Sequence, residues 1–255
     1  MKNWITACSM AFGMFSAIPF PLRRWDENQR GRMLVLFPWV GAVIGALWAL
    51  AAWIFQTIGL EGALSAALLT AVPLGLTGFI HLDGFMDCCD AIYSRRDLET
   101  RRKILKDSHC GAFAVIHLAL YLLLFFAAMH LAGQKPGIIL FLPASTRCVS
   151  ALAVCRIRPM QTSQYASKNG TCTPGQLVAI VITLVLSVLL PVLLFGIPGA
   201  CAAVAAMVTL TQVWFGVRQL GGMSGDISGF AITRGELAGV MALAILIFME
   251  AKAWF

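Results

Sequence analysis

Seven apolar runs, at about 33–58, 62–80, 111–131, 137–155, 176–196, 199–216 and 236–254, constrain this chain more than any other feature. Each comes near the ~20 residues an α-helix needs to cross a hydrocarbon core, where every backbone polar group must be satisfied within the segment. Only 12% of the 255 residues are charged and 59% are hydrophobic, against a charged fraction of about 25% in soluble domains. Mean hydropathy is +0.82. The expected fold class is therefore all-α: a polytopic helical integral membrane protein with about seven transmembrane helices. An eighth apolar segment, 4–20, ends in the Pro-rich "SAIPFPLRR" and is left as spanning, re-entrant or interfacial. It faintly imitates a signal peptide, but no clear small-x-small cleavage site follows, so it is expected to be retained.

Charge placement orients the chain. The connections at 21–32, 81–109, 156–175 and 217–235 carry fifteen of the 19 basic residues, whereas those at 59–62, 132–137 and 195–199 hold only Lys135. Seven spans put the two groups on opposite faces, and the positive-inside rule assigns the basic face to the cytoplasm. The formal charge of +7 is then one-sided and suits membrane lipid headgroups or an anionic substrate. No internal repeat is visible, and the longest polar stretch, 81–109, is too short to build a core. One helical membrane domain over 1–255 is expected.

Against this background "HLDGFMDCCDAIYSRRD", 81–97, places Asp83, Asp87 and Asp90 against the end of an apolar run. If the helix entering near residue 75 continues through them, the i, i+4, i+7 spacing keeps them within about 60° on one face. At mid-membrane each would cost roughly 2.5–3.5 kcal/mol, so they call for a cation or a solvated helix end. Carboxylate oxygens are the hard ligands Mg²⁺ takes, together with waters and substrate phosphates. Gly84 permits close approach, and the basic run Arg95 to Lys106 follows. Carboxylates for a divalent ion beside cations for phosphate are what phosphoryl transfer requires.

Further candidates lie on the same face. Lys106 and Asp107 stand in "RRKILKDSHCGAF"; Asp226 sits among glycines in "LGGMSGDISGFAITRGE"; Tyr165 and Lys168 occupy the polar loop "TSQYASKNGTCTPG". Arg147 falls in mid-span, where a charge faces the bundle interior and either serves function or pairs with one of the aspartates. The eight cysteines contain no C-x-x-C and are expected to be small buried apolar residues. A zinc site from His81, Cys88 and His109 fits no structural zinc spacing.

These residues resemble a known family. "HLDGFMDCCDAI" is similar to the H-L-D-G-x-x-D-x-x-D-G signature of the cobalamin synthases, the adenosylcobinamide-GDP ribazoletransferases. "ILKDSHCGAFAV", "GRMLVLFPWVGAVIG", "FGMFSAIPFPL" and "LGGMSGDISGF" resemble its other blocks, in order over nearly the whole chain. Departures, among them Ala91 where glycine is usual and Ser224 for threonine, remove no charged residue. The resemblance implies transfer of the cobinamide phosphate of adenosylcobinamide-GDP to α-ribazole or its 5′-phosphate, with Mg²⁺ required and GMP released. It implies Asp83, Asp87 and Asp90 as metal ligands and, with Lys106, Asp107 and Asp226, as the catalytic set. His81, Gly84, Ser108, Arg147, Tyr165, Lys168 and Gly225 are expected to contact substrate. No nucleic acid partner is implied; a homo-oligomer or a complex with other B12-assembly enzymes stays open. A CDP-alcohol phosphotransferase would carry D-G-x-x-A-R, but Phe85, Met86 and Asp87 follow Gly84. A transporter would place its acids near the midplane in repeated halves.

Overall fold

The computed structural model describes residues 2–160 and 172–252, and among these no strand forms beyond one isolated bridge between Pro159 and Met223. The helices are α1 (Lys2–Phe15), α2 (Arg30–Thr57), α3 (Gly62–Leu76), α4 (Ile80–Tyr93), α5 (Leu98–Ile104), α6 (Ala112–Ala132), α7 (Pro136–Ile139), α8 (Leu142–Arg156), α9 (Pro174–Phe195), α10 (Cys201–Leu220) and α11 (Gly225–Lys252). Six helical segments are long and apolar enough to cross a membrane, and α3 with α4 makes a seventh if the bent pair counts as one broken span. The polytopic helical expectation holds.

One detail differs from the sequence expectation, and another that it left open is narrowed. The helix does not run continuously through 75–90: it breaks at Thr77–Phe79 and turns by 91° into α4. Gly78 (φ 61°) and Phe79 (φ 63°) both adopt the left-handed conformation, which no helix propagates through. A hydropathy window passes over this, because Thr77 and Gly78 interrupt the apolar run for only two residues before Phe79 and Ile80 resume it. The N-terminal α1, at 14 residues, covers about 21 Å, short of the ~30 Å core. Re-entrant or interfacial placement is what that length allows.

Local chemistry sets the helix ends on the basic face. Thr173 and Gln176 form a reciprocal capping box at the start of α9, with Pro174 in its first turn, which satisfies donors a helix start otherwise leaves orphaned. Asp97 caps α5 by accepting from Thr100 N at 3.0 Å. Gly221 ends α10 at φ 78°, the left-handed closure glycine favours. Inside, α11 packs against α10, α4, α6 and α8, and α8 also lies against α2 and α10. Trp48, fully buried on α2, donates its indole N–H to Leu69 O of α3 at 2.8 Å, the partner such a ring needs in an apolar core. By contrast α9 buries only Ile180, Ser187 and Pro191 and forms the periphery.

The cysteines follow the apolar expectation in part. Cys88, Cys89, Cys148 and Cys201 are buried, Cys110 is exposed, and the sulfurs of Cys155 and Cys172 stand at bonding distance. The last pairing arises because the end of α8 and the segment entering α9 meet on the same face.

Candidate functional site

The site is built where α4 and α11 cross, and glycines on both helices set how closely they approach. A methyl group on Gly84 would stand 2.8 Å from Asp226 Cα and 3.0 Å from Asp226 O; one on Gly229 would stand 2.7 Å from His81 O. Such separations are inside van der Waals contact, so only residues without a Cβ let these backbones meet. Thr233 Oγ1 then donates to His81 O at 3.1 Å. The consequence is that Asp226, in the first turn of α11, is set beside an acid-bearing helix from the other half of the chain. Asp83, Asp226 and Asp90 all act electrostatically on Asp87.

The three aspartates of α4 do share a face. With Ser108 and Gly111 they line a cavity of about 100 Å³. Gly111 has a specific part here: a Cβ on it would collide with the Asp90 carboxylate, so this glycine makes room for that side chain. Asp83 also borders a second cavity of about 260 Å³, to which His81, Lys106, Gly225 and Asp226 contribute. Ser224 Oγ donates to Asp226 Oδ2 at 3.4 Å and accepts from Ile227 N at 3.3 Å, orienting the carboxylate at the helix start. Sequence reading noted Ser224 only as a departure from the family's threonine and gave it no part in the site; its spacing two residues before the acid was the available signal.

Other candidates sit elsewhere. Asp107 is exposed and accepts from His109, from the backbone N at 3.0 Å and from Nδ1 at 2.6 Å. That hydrogen bonding holds its carboxyl below the usual range, which makes it a weaker base. Arg147 is wholly buried and paired with Glu236, Nη1 to Oε1 at 2.6 Å, and the same Nη1 donates to Pro143 O at 2.9 Å. Sequence reading expected Arg147 either to meet substrate or to pair with an aspartate; the acid it meets is Glu236, whose lone place at the head of the run 236–254 was the clue. Tyr165 and Lys168 lie outside the described residues.

The basic run is likewise divided. Arg102 donates from Nε to Leu220 O at 2.9 Å and from Nη2 to Gly221 O at 3.2 Å, and Arg101 Nη1 donates to Gln219 O at 3.0 Å. These two cations neutralise the carbonyl end of α10, where the helix dipole favours positive charge, and tether the turn that leads to Asp226. Lys106, past the end of α5, lines the larger cavity.

Among the described residues no three His, Cys, Asp or Glu side chains converge on one ion position. A zinc site needs such a closed set of ligands, and His81 is buried while His109 is exposed. Magnesium asks for less, one or two carboxylates plus waters and substrate phosphates. The hard-oxygen donors Asp83, Asp87 and Asp90, facing a cavity, fit that chemistry.

Fold and site define a polytopic helical membrane enzyme with a carboxylate-lined site at the basic end of its bundle. The family model for cobalamin-5-phosphate synthase matches residues 7–244, and the chain belongs to that family. A Clostridium perfringens adenosylcobinamide-GDP ribazoletransferase is 35% identical over 252 residues, covering 96% of this chain and all of the relative. Proteins of the same name from Clostridium botulinum and Geotalea daltonii are 33% and 32% identical, over 96% and 93% of this chain and 99% and 96% of their own lengths. No solved structure matches the chain.

Proposed function

We propose that the chain joins adenosylcobinamide-GDP to α-ribazole or its 5′-phosphate, giving adenosylcobalamin or its 5′-phosphate and GMP, and that it does so with Mg²⁺ on the cytoplasmic face. The observation that carries this is the meeting of four carboxylates from two distant segments, Asp83, Asp87 and Asp90 with Asp226, beside Lys106. Family membership and the names of its relatives agree with it.

In this reaction a ribose hydroxyl oxygen bonds to the phosphorus on the cobinamide arm, the P–O bond to the GMP phosphate breaks, and GMP leaves with that electron pair. One or two of Asp83, Asp87 and Asp90, with water and substrate oxygens, would hold the magnesium ion, which would supply charge neutralisation at the pyrophosphate. Lys106 offsets charge on the departing phosphate as a point cation. Asp226 is better placed than Asp107 to take the hydroxyl proton. It lines the cavity shared with Asp83 and is held by Ser224, whereas Asp107 faces His109 outside.

The test is direct. Purified protein mixed with adenosylcobinamide-GDP, α-ribazole and Mg²⁺ should release GMP stoichiometrically with corrinoid product, and chelation of the metal should stop it. Folded protein that releases no GMP from either riboside would sink the proposal.

A further inference from the structure

The helix that bears the aspartates, α4, has 14 residues and follows a 91° bend, so α3 does not extend into it as a rigid brace. Its rotation about its own axis is set by the neighbours on its other side. Counted at 100° per residue, Phe85, Cys89 and Tyr93 lie roughly 90–170° from the mean direction of Asp83, Asp87 and Asp90. One side chain of α11 meets all three. The guanidinium carbon of Arg234 is 5.9 Å from the Phe85 ring centre and 5.8 Å from that of Tyr93, and the group is close enough to Cys89 to act on its thiol. Arg234 donates from Nη2 to the Tyr93 hydroxyl at 2.8 Å and from Nη1 to Gln212 Oε1 of α10 at 2.9 Å. The Tyr93 ring in turn stacks on His117 of α6, with centroids 4.1 Å apart. We infer that Arg234 is a positioning residue: through Tyr93 and Gln212 it pins the end of α4 to α10 and α11, and so sets the rotation at which Asp87 and Asp90 face their cavity.

Two observations set Arg234 apart from an ordinary packing residue. An arginine within an apolar bundle usually faces an acid, as Arg147 faces Glu236, but among the described residues no carboxylate pairs with Arg234. Its charge is met instead by two neutral acceptors and by aromatic faces, the nearest being Phe230 at 4.4 Å, an arrangement that stabilises a cation without fixing a counter-ion. The acceptors stand on two different helices, and the rigid fork of a guanidinium holds both at fixed angles, which an ammonium on a flexible stem does not. The second observation is the side of α4 that is held. Because it is the reverse of the acid side, any rotation it permits carries Asp87 and Asp90 away from Ser108 and Gly111, with which they line the smaller cavity. A displacement of about 1 Å in a reacting constellation can cost on the order of a hundredfold in rate. The consequence for catalysis rests on the metal role proposed for these acids; the geometric part does not.

The first test needs no turnover. In a chain stripped of its other cysteines, a thiol at position 87 (Asp87→Cys) should react with a charged, water-soluble methanethiosulfonate, whereas Cys89 kept as the single thiol, 0% exposed, should not. Adding Tyr93→Phe, which deletes one hydroxyl and leaves the ring on His117, or Arg234→Gln should slow labelling at 87 and speed it at Cys89, each by about tenfold. Tyr93→Phe decides the matter should Arg234→Gln fail to fold. The second test is kinetic. With native cysteines and Asp87 in place, both variants should raise the Mg²⁺ concentration for half-maximal GMP release about tenfold, while Tyr93→Phe melts close to wild type. Arg234→Lys keeps the charge and loses the fork, and should behave as Arg234→Gln does. Unchanged labelling at 87 and 89 in the variants, or a wild-type Mg²⁺ requirement in Arg234→Lys, overturns the positioning role. If wild-type protein releases no GMP or needs no metal, the proposed reaction is what fails, and the labelling pattern still decides whether Arg234 sets the rotation of α4.

Discussion

Glu236→Ala removes the acid that accompanies Arg147 in the bundle interior. The two charges meet at 2.6 Å with side-chain exposures of 0% and 8%, so water cannot take over the solvation of the guanidinium when its partner goes. Arg147 Nε and Nη2 are already buried without partners among the described residues, and after the change Nη1 keeps only Pro143 O. A unit charge pair about 4 Å apart between charge centres is worth about 4 kcal/mol at an effective dielectric of 20. This agrees with the ~3–5 kcal/mol lost when one partner of a buried pair is deleted. At roughly 2–4 °C per kcal/mol for a chain of this size, the unfolding midpoint in detergent should fall by about 6–20 °C. The double variant Arg147→Met, Glu236→Leu replaces the pair with packed apolar groups and should recover most of that loss. It should also keep turnover per folded molecule near wild type, read by thermal unfolding followed with tryptophan fluorescence and by GMP release. A single variant that melts with wild type refutes the energetic reasoning. A stable double variant whose substrate KM rises tenfold restores Arg147 to the substrate site.

Asp87→Asn should abolish GMP release while the protein inserts and melts normally, because an amide cannot replace the negative charge; activity in the folded variant would refute the metal-ligand role. Cys88→Ala with Cys89→Ala should stay active, since thiols are poor magnesium ligands. Gly84→Val puts a side chain where Asp226 Cα lies 2.8 Å away and should cost at least tenfold in turnover by parting α4 from α11; wild-type kinetics would show that the crossing is not needed. Asp226→Ala should cut turnover far more than affinity, whereas a destabilised variant with full specific activity would reduce Asp226 to a turn residue. Cysteine probes at 95–103 should label only from the cytoplasm and one at Gln134 only from outside. Recovery of Cys155 and Cys172 as a bonded pair from intact cells would count against that orientation, since thiols stay reduced in the cytosol.

The apolar runs determined the fold class directly, because a helix in hydrocarbon satisfies its own backbone and hydropathy therefore reports it residue by residue. The asymmetric arginines and lysines gave the four basic connections one face, and the structure joins three of them, 81–109, 156–175 and 217–235, through Arg101, Arg102 and the Pro159–Met223 bridge. The i, i+4, i+7 aspartates needed only the helical repeat to share a side, and they share it even though their helix starts at Ile80 rather than continuing α3. What the sequence could not contain was the partner of each group. Arg147 might have met any of several acids, and only the packing of α8 against α11 chose Glu236. Lys106 and Arg102 look alike along the chain, yet one borders a cavity and the other is held by carbonyls of α10. Asp226 reaches the α4 aspartates only because Gly84 and Gly229 let two backbones come within contact of one another. Spacing along one helix is a local property of the chain, fixed by backbone geometry; the meeting of two helices depends on side-chain volumes from both, and only the folded bundle brings those together.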